Sequence, residues 1–148
     1  MREIIYRGQR IDNKEWVYGY YAFNPKKGTH YILTWVGHSV MCYEQGCFTA
    51  DHNEVIPETV GEYSGLKDCN GITKLFEGDI VKADLDWPPG GKGCRDGVIG
   101  EVIFYRGMFC FTTIPFIENI SHRELHDCYN HKVIGNLWEN PELLEAVK

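Results

Sequence analysis

At 148 residues the chain suits one domain, or two small lobes sharing a core, and a hydrophobic content of 43% excludes an intrinsically disordered chain. A formal net charge of -6 and a pI near 5.5 argue against a protein that mainly coats nucleic-acid phosphates, while leaving room for a local basic patch. Nine Tyr, seven Phe and sixteen Gly point to strands joined by tight turns.

Met1-Arg2-Glu3 runs straight into a strand-like stretch with no apolar core of signal-peptide length. No run approaches the ~18–20 apolar residues of a membrane span. A soluble cytoplasmic protein, without a membrane partner, is therefore expected. Its six Cys then read as reduced thiols rather than disulfides.

In chain order, residues 3–9 alternate weakly and predict a first strand. Asp12-Asn13-Lys14 supplies a turn. Residues 15–23 (EWVYGYYAF) predict a second strand, with Trp16, Tyr18 and Tyr20 on one face and Val17, Gly19 and Tyr21 on the other. Asn24-Pro25-Lys26-Lys27-Gly28 is a loop, and residues 29–36 (THYILTWV) a third strand. The three form an antiparallel meander. Short strands are expected over 39–43 and 46–49, and a loop at Asp51-His52-Asn53. Pro57 is confined to an edge or a strand start, because it has no amide to donate.

Residues 55–82 hold the densest punctuation in the chain. Asn70-Gly71 suits a two-residue type I′ turn, with strands over 62–67 and 72–76 folding back on each other. Gly61 and Gly65 suggest bulges or close backbone approach. Glu77-Gly78-Asp79 feeds a strand over 80–85, and the loop of residues 86–93 follows on composition. Residues 97–105 and 108–114 predict two strands around a tight turn at Arg106-Gly107. One helical turn is expected near 121–126, with Ser121 as N-cap and Glu124 three residues on. Residues 132–138 predict the last strand. Asn140-Pro141-Glu142 then starts a short helix, with Asn at the N-cap and Pro at the first helical position.

These elements predict a mainly β protein. An N-terminal β lobe, residues 1–54, packs as a meander on a lobe of residues 55–148. In the second lobe five strands from 62 to 138 form a small SH3-like β-barrel with a short C-terminal helix. Closure into a barrel would remove exposed sheet edges.

Four ordered segments carry a resemblance: REIIYRG at the N-terminus, VIPETVGEYSGLKDCNG from Val55, FEGDIV from Phe76, and VIGNLWENPELL from Val133. On these the chain resembles the YopX protein family of phages and prophages. The segments bracket nearly the whole chain, from Arg2 to Leu144, while 24–54 and 85–96 read as variable insertions. The resemblance implies a mostly β fold and an origin in a phage or integrated element. It brings no established activity, so no catalytic residue follows from it.

Candidate chemistry is sparse. His122, His126, Cys128 and His131 form the most metal-like cluster, since two His on one helical turn plus Cys128 or His131 could close a zinc site. The spacing matches no standard finger, and a polar loop is the plainer account. Cys42 and Cys47, with His38 and His52 nearby, form a second set, which buried thiols in short strands explain better. Asp68, Asp79, Asp84, Asp86 and Glu77 could be read as a divalent-ion site, but Asp in turns binds backbone amides. PPGGKG lacks the phosphate-loop pattern. Nothing selects a nucleophile–base pair. No catalytic residue and no cofactor is indicated.

The last candidate is a surface. Trp16, Tyr18, Tyr20, Tyr31 and Trp35 could stack bases or seat a protein. Arg2, Arg7, Arg10, Lys14, Lys26 and Lys27 face only Glu3, Asp12 and Glu15 in the first 27 residues, a local excess of positive charge. The reading is an accessory protein that acts by binding a protein partner or itself. A nucleic-acid-binding module on Arg7, Arg10, Trp16, Tyr18, Tyr20, Lys26 and Lys27 is the first alternative, and a metal-dependent hydrolase the second.

Overall fold

The computed structural model describes residues 3–35, 50–87, 93–113 and 122–145. Its strands are β1 (Tyr6–Gln9), β2 (Trp16–Asn24), β3 (Thr29–Trp35), β4 (Ala50–Glu54), β5 (Gly61–Lys67), β6 (Lys74–Phe76), β7 (Asp79–Trp87), β8 (Gly93–Tyr105), β9 (Met108–Thr113), β10 (Arg123–Glu124) and β11 (Cys128–Asn136). One helix follows, α1 (Glu142–Glu145). The protein is mainly β, as its aromatic and β-branched runs predict. The chain forms two compact units, Met1–Glu62 and Tyr63–Lys148.

In the first unit β1, β2 and β3 form the antiparallel meander, with Arg7 opposite Tyr18 and Ala22 opposite Tyr31. Strand β4 adds to it, pairing Leu33 with His52. The start of β5 pairs with β1 at Arg7↔Gly61. The polar triplet 51–53, expected as a loop, is thus strand. Asn53 explains why: its side-chain NH2 donates to the Ile32 carbonyl and to Thr34 Oγ1, and its Oδ1 accepts from Arg10 Nη1 at 2.8 Å. A side chain that would favour a turn locally is satisfied across the ladder. The apolar centre of this unit is small, with Ile32 and Val55 fully buried. The expected strands over 39–43 and 46–49 lie outside the described residues, as do His38, Cys42, Cys47 and Ser121.

In the second unit β5 pairs with β6, and a separate sheet runs in the order β10-β9-β8-β7-β11. Its core is Leu75, Val81, Ala83, Leu85, Val102, Phe111, Leu125 and Cys128. The closed barrel expected over 62–138 is not found. Among the described residues no ladder joins β10 to β11, the outermost strands. Strand β10 is two residues long and runs directly into a 3-10 turn, Leu125–Asp127, so it offers no edge for β11 to pair with. That 3-10 turn also replaces the helical turn expected over 121–126.

The 68–73 turn differs from the type I′ expectation as well. Gly71 has φ +70°, but Asn70 is not left-handed. The Gly71 N–H donates to the Asp68 carbonyl, and Asp68 Oδ1 accepts the N–H groups of Ile72 and Thr73 at 3.1 Å. Asp68, acting as an Asx cap, lengthens the loop beyond two residues. The two-residue hairpin with positive φ at both centres occurs instead at Arg106 (φ 50°) and Gly107 (φ 86°), between the paired Tyr105 and Met108. The bulge expected near Gly65 is present as a register shift between Tyr63 and Lys67.

Candidate functional site

The pleat of β2 puts Trp16, Tyr18, Tyr20 and Ala22 on one face. The ladder adds Arg7, Leu33, Tyr31 and His52 from neighbouring strands. Tyr18 is 52% and Tyr20 65% exposed, values that mark a surface rather than a core. Tyr31 meets His52 edge to face, with ring centroids 6.4 Å apart. Ala22, Phe23, Asn24, Pro25, Tyr31 and His52 line an open pocket of ≈ 430 Å³. The opposite face carries a second aromatic chain. There Tyr6 meets Tyr21, whose hydroxyl lies 2.7 Å from His30 Nδ1, and Phe23 meets the same imidazole.

The described basic residues of the first 27 positions are not one patch. Arg7 is buried, with its guanidinium 4.7 Å from the centre of the Trp16 ring. Arg10 forms a two-pronged pair with Asp12, at 2.9 Å and 2.6 Å, and that hydrogen bond holds the Asp12 carboxyl down to about 2. Lys26 and Lys27 are exposed in the β2–β3 turn, where their amides donate to Asn24 Oδ1. Residues 1–62 as a whole hold six Lys/Arg and eight Asp/Glu, because Glu44, Asp51, Glu54, Glu58 and Glu62 join the early acids. The excess of positive charge in the first 27 residues is thus reversed across the unit.

The four His/Cys candidates occupy four different environments. His122 stacks on Tyr105 with centroids 4.4 Å apart. His126 is exposed, 3.2 Å from Glu124 Oε2 and 3.3 Å from Asp127 Oδ1. Cys128 is buried in the core, and burial pushes its thiol up to about 12, so it stays protonated. His131 is buried with Nε2 2.9 Å from the Leu125 carbonyl, and desolvation lowers its pKa. Among the described residues the only mutually close set of three or more potential metal ligands is Glu124, His126 and Asp127.

The acidic residues of the central block serve the backbone. Burial raises the Asp68 carboxyl, but the Ile72 and Thr73 amides outweigh it and hold it below its usual range. Asp79, 1% exposed, accepts the Phe76 N–H at 2.8 Å. Asp84 takes the Asn130 side-chain NH2 at 2.8 Å and the Gly97 N–H at 2.7 Å, and both lower its pKa. Glu77 accepts the Phe104 N–H. The side chain of Asp86 lies outside the described residues.

Compared with known families, the sequence matches the model of the YopX protein over residues 5–145. The chain belongs to the YopX family. A search of curated proteins returns no match.

In this YopX chain the segments that carried the resemblance build the fold. Gly78 of FEGDIV donates to the Val102 carbonyl at 2.8 Å and accepts the Leu137 N–H at 3.0 Å. Its φ is +80°, and an added Cβ would run into the Trp138 ring. Asn136 Oδ1 accepts the amides of Trp138 and Glu139, at 3.1 Å and 3.0 Å, while Asn140 Oδ1 turns back to the Asn136 amide rather than forward to the helix. In VIPETVG, Thr59 Oγ1 accepts the Gln9 N–H and donates to the Ile56 carbonyl. Sequence reasoning passed over Glu124 and Asp127 as partners of His126. The visible signal was the tetrapeptide ELHD, three potential ligands within four residues.

Proposed function

We propose that this YopX-family chain is a non-enzymatic accessory protein of a phage or prophage, working in the host cytoplasm by binding a protein partner or a second copy of itself. The observation that carries this reading is the exposed aromatic face of β2, where Tyr18 and Tyr20 project beside an open pocket. Large aromatics are costly to leave in water and are the side chains most enriched in protein interfaces. Among the described residues the identifying motifs are occupied with turns and ladders, whereas Tyr18 and Tyr20 stand more than half exposed on a surface. No helix of the described residues is long and apolar enough to cross a membrane.

The same geometry weighs against nucleic acid. Stacking platforms work with a positive groove that tracks phosphates. Here Arg10 is spent on Asp12, Arg7 lies against Trp16, and β4 brings Asp51 and Glu54 to the meander. The test is affinity purification from host-cell lysate, with the eluate examined for protein and nucleic acid, using the parent and the double variant Tyr18→Ser, Tyr20→Ser. A protein retained by the parent and lost by the variant, at an unchanged melting temperature, supports the reading. A strict monomer that retrieves nothing refutes it. Retention of single-stranded nucleic acid that weakens steeply with salt would replace it with the stacking alternative.

A further inference from the structure

The second unit carries a cluster that the binding reading does not use. Glu124, His126 and Asp127 are all exposed; Glu124 ends β10, and His126 and Asp127 lie on the 3-10 turn that follows it. His126 Nε2 is 3.2 Å from Glu124 Oε2 and 3.3 Å from Asp127 Oδ1. Two carboxylates converge on one ring nitrogen. A neutral imidazole has a single N–H to offer them, and with that nitrogen unprotonated three electron-pair donors face one another.

The spacing fits a metal. Zinc–nitrogen and zinc–oxygen bonds of about 2.0–2.2 Å set tetrahedral edges of about 3.3–3.5 Å between ligands. The two His126 separations match such edges to within about 0.2 Å at bond lengths of that order, and all three ligand atoms lie within 4.8 Å of one another. The turn that holds them is anchored by the core. Leu125, between two of the ligands, is 1% exposed, and Cys128, just past the third, is 3% exposed. The Leu125 carbonyl accepts the Cys128 N–H and lies 2.9 Å from His131 Nε2. Glu124 is held from the other side by its ladder pair with Cys110. The backbone of the site is thus set by packing, before any ion arrives.

We propose that Glu124, His126 and Asp127 form a zinc site with a fourth, open coordination position. Imidazole among the ligands selects zinc-type ions over magnesium and calcium, which prefer larger all-oxygen shells. Glu124 and His126 also line a groove of ≈ 300 Å³ with Ser64, Leu66, Met108, Phe109 and Leu125. An ion held by the triad therefore borders an apolar surface, where an outside ligand could reach the open position. This differs from a site built on all of His122, His126, Cys128 and His131, because it uses only His126 of those four and takes both carboxylates.

The experiment is a Zn²⁺ titration of the full chain, stripped with chelator and kept reduced, in competition with a chromophoric chelator and with Mg²⁺ run in parallel. One Zn²⁺ per chain is expected. His126→Ala and the pair Glu124→Gln, Asp127→Asn should each weaken it roughly tenfold or more, while His122→Ala leaves it unchanged. All four positions are exposed, so far-UV circular dichroism should match the parent throughout. The absence of saturable Zn²⁺ binding, the same affinity in His126→Ala as in the parent, or Mg²⁺ binding as tight as Zn²⁺ would each overturn the assignment. The first of these results would leave the contacts of His126 with Glu124 and Asp127 as ordinary surface polar contacts.

Discussion

Replacing Gly71 separates a conformational cost from a packing cost. Its φ is +70°, and a Cβ built there meets nothing within 4 Å, so a side chain brings strain without collision. An L-residue held left-handed costs roughly 1–2 kcal/mol, and a β-branched one reaches about 3 kcal/mol. Gly71→Val should therefore lose about 2–3 kcal/mol and Gly71→Ala about 1–2 kcal/mol, while Gly71→Asn stays within about 1 kcal/mol because Asn tolerates this region. Gly78→Ala is the comparison. It carries the same backbone penalty at φ +80° and also drives its Cβ into the Trp138 ring. Overpacking adds about 1–3 kcal/mol there, so Gly78→Ala should exceed Gly71→Ala. The assay is urea denaturation under reducing conditions, read as a shift in midpoint at constant slope. In a thermal scan each kcal/mol moves the Tm by about 4 °C for a chain of this size. If Gly71→Val melts like the parent, or Gly71→Asn is as damaging as Gly71→Val, the left-handed turn at 68–71 is wrong.

Leu125→Ala should cost about 2–5 kcal/mol, since the side chain is fully buried in the core of the second unit; a loss below about 1 kcal/mol in the same assay would contradict that packing. His131 is buried, and desolvation holds its folded pKa below the ordinary 6.5, so the unfolded chain binds more protons between the two values. Stability from this group is complete above about pH 6.5 and falls as the pH drops from there through the folded pKa; His131→Gln should flatten that part of a denaturation-midpoint profile. Glu101 has the opposite sign. Burial, with Glu77 adding repulsion, raises its pKa above 4.5, so its contribution is present at low pH and is lost as the pH rises through the folded value. Glu101→Gln should then stabilise the protein at pH 7 relative to its effect at pH 4, and equal effects at both would refute the shift. Tyr20→Ser should change stability by no more than about 0.5 kcal/mol, being a surface substitution, so any loss of partner capture in that variant belongs to recognition.

Much of the fold is legible in the residues themselves. Aromatic and β-branched runs such as WVYGYYAF and VIGEVIFY read as strands and form them here, because their side chains fit a pleated, half-buried surface. The meander of β1 to β3 and the hairpin at Arg106-Gly107 follow from such runs and the turn residues between them. Family membership was legible too, in four segments whose order survives the insertions. The polar triplet at 51–53 was not. In isolation Asp-His-Asn is a turn, and it becomes β4 only because β3 presents partners for the Asn53 side chain.

The sequence alone determined that this is a mainly β chain of the YopX family, with an aromatic N-terminal sheet and no legible catalytic motif. Only the tertiary structure decided which candidates meet. It distributed His122, His126, Cys128 and His131 among a ring stack, a surface triad, the core and a backbone carbonyl. It spent Arg10 on Asp12 and brought Glu124 and Asp127 to His126. Strand and turn propensities act over a few residues and are written locally. Side-chain convergence depends on register and on the direction in which each residue leaves the backbone, and a shift of one residue in a strand moves it to the opposite face.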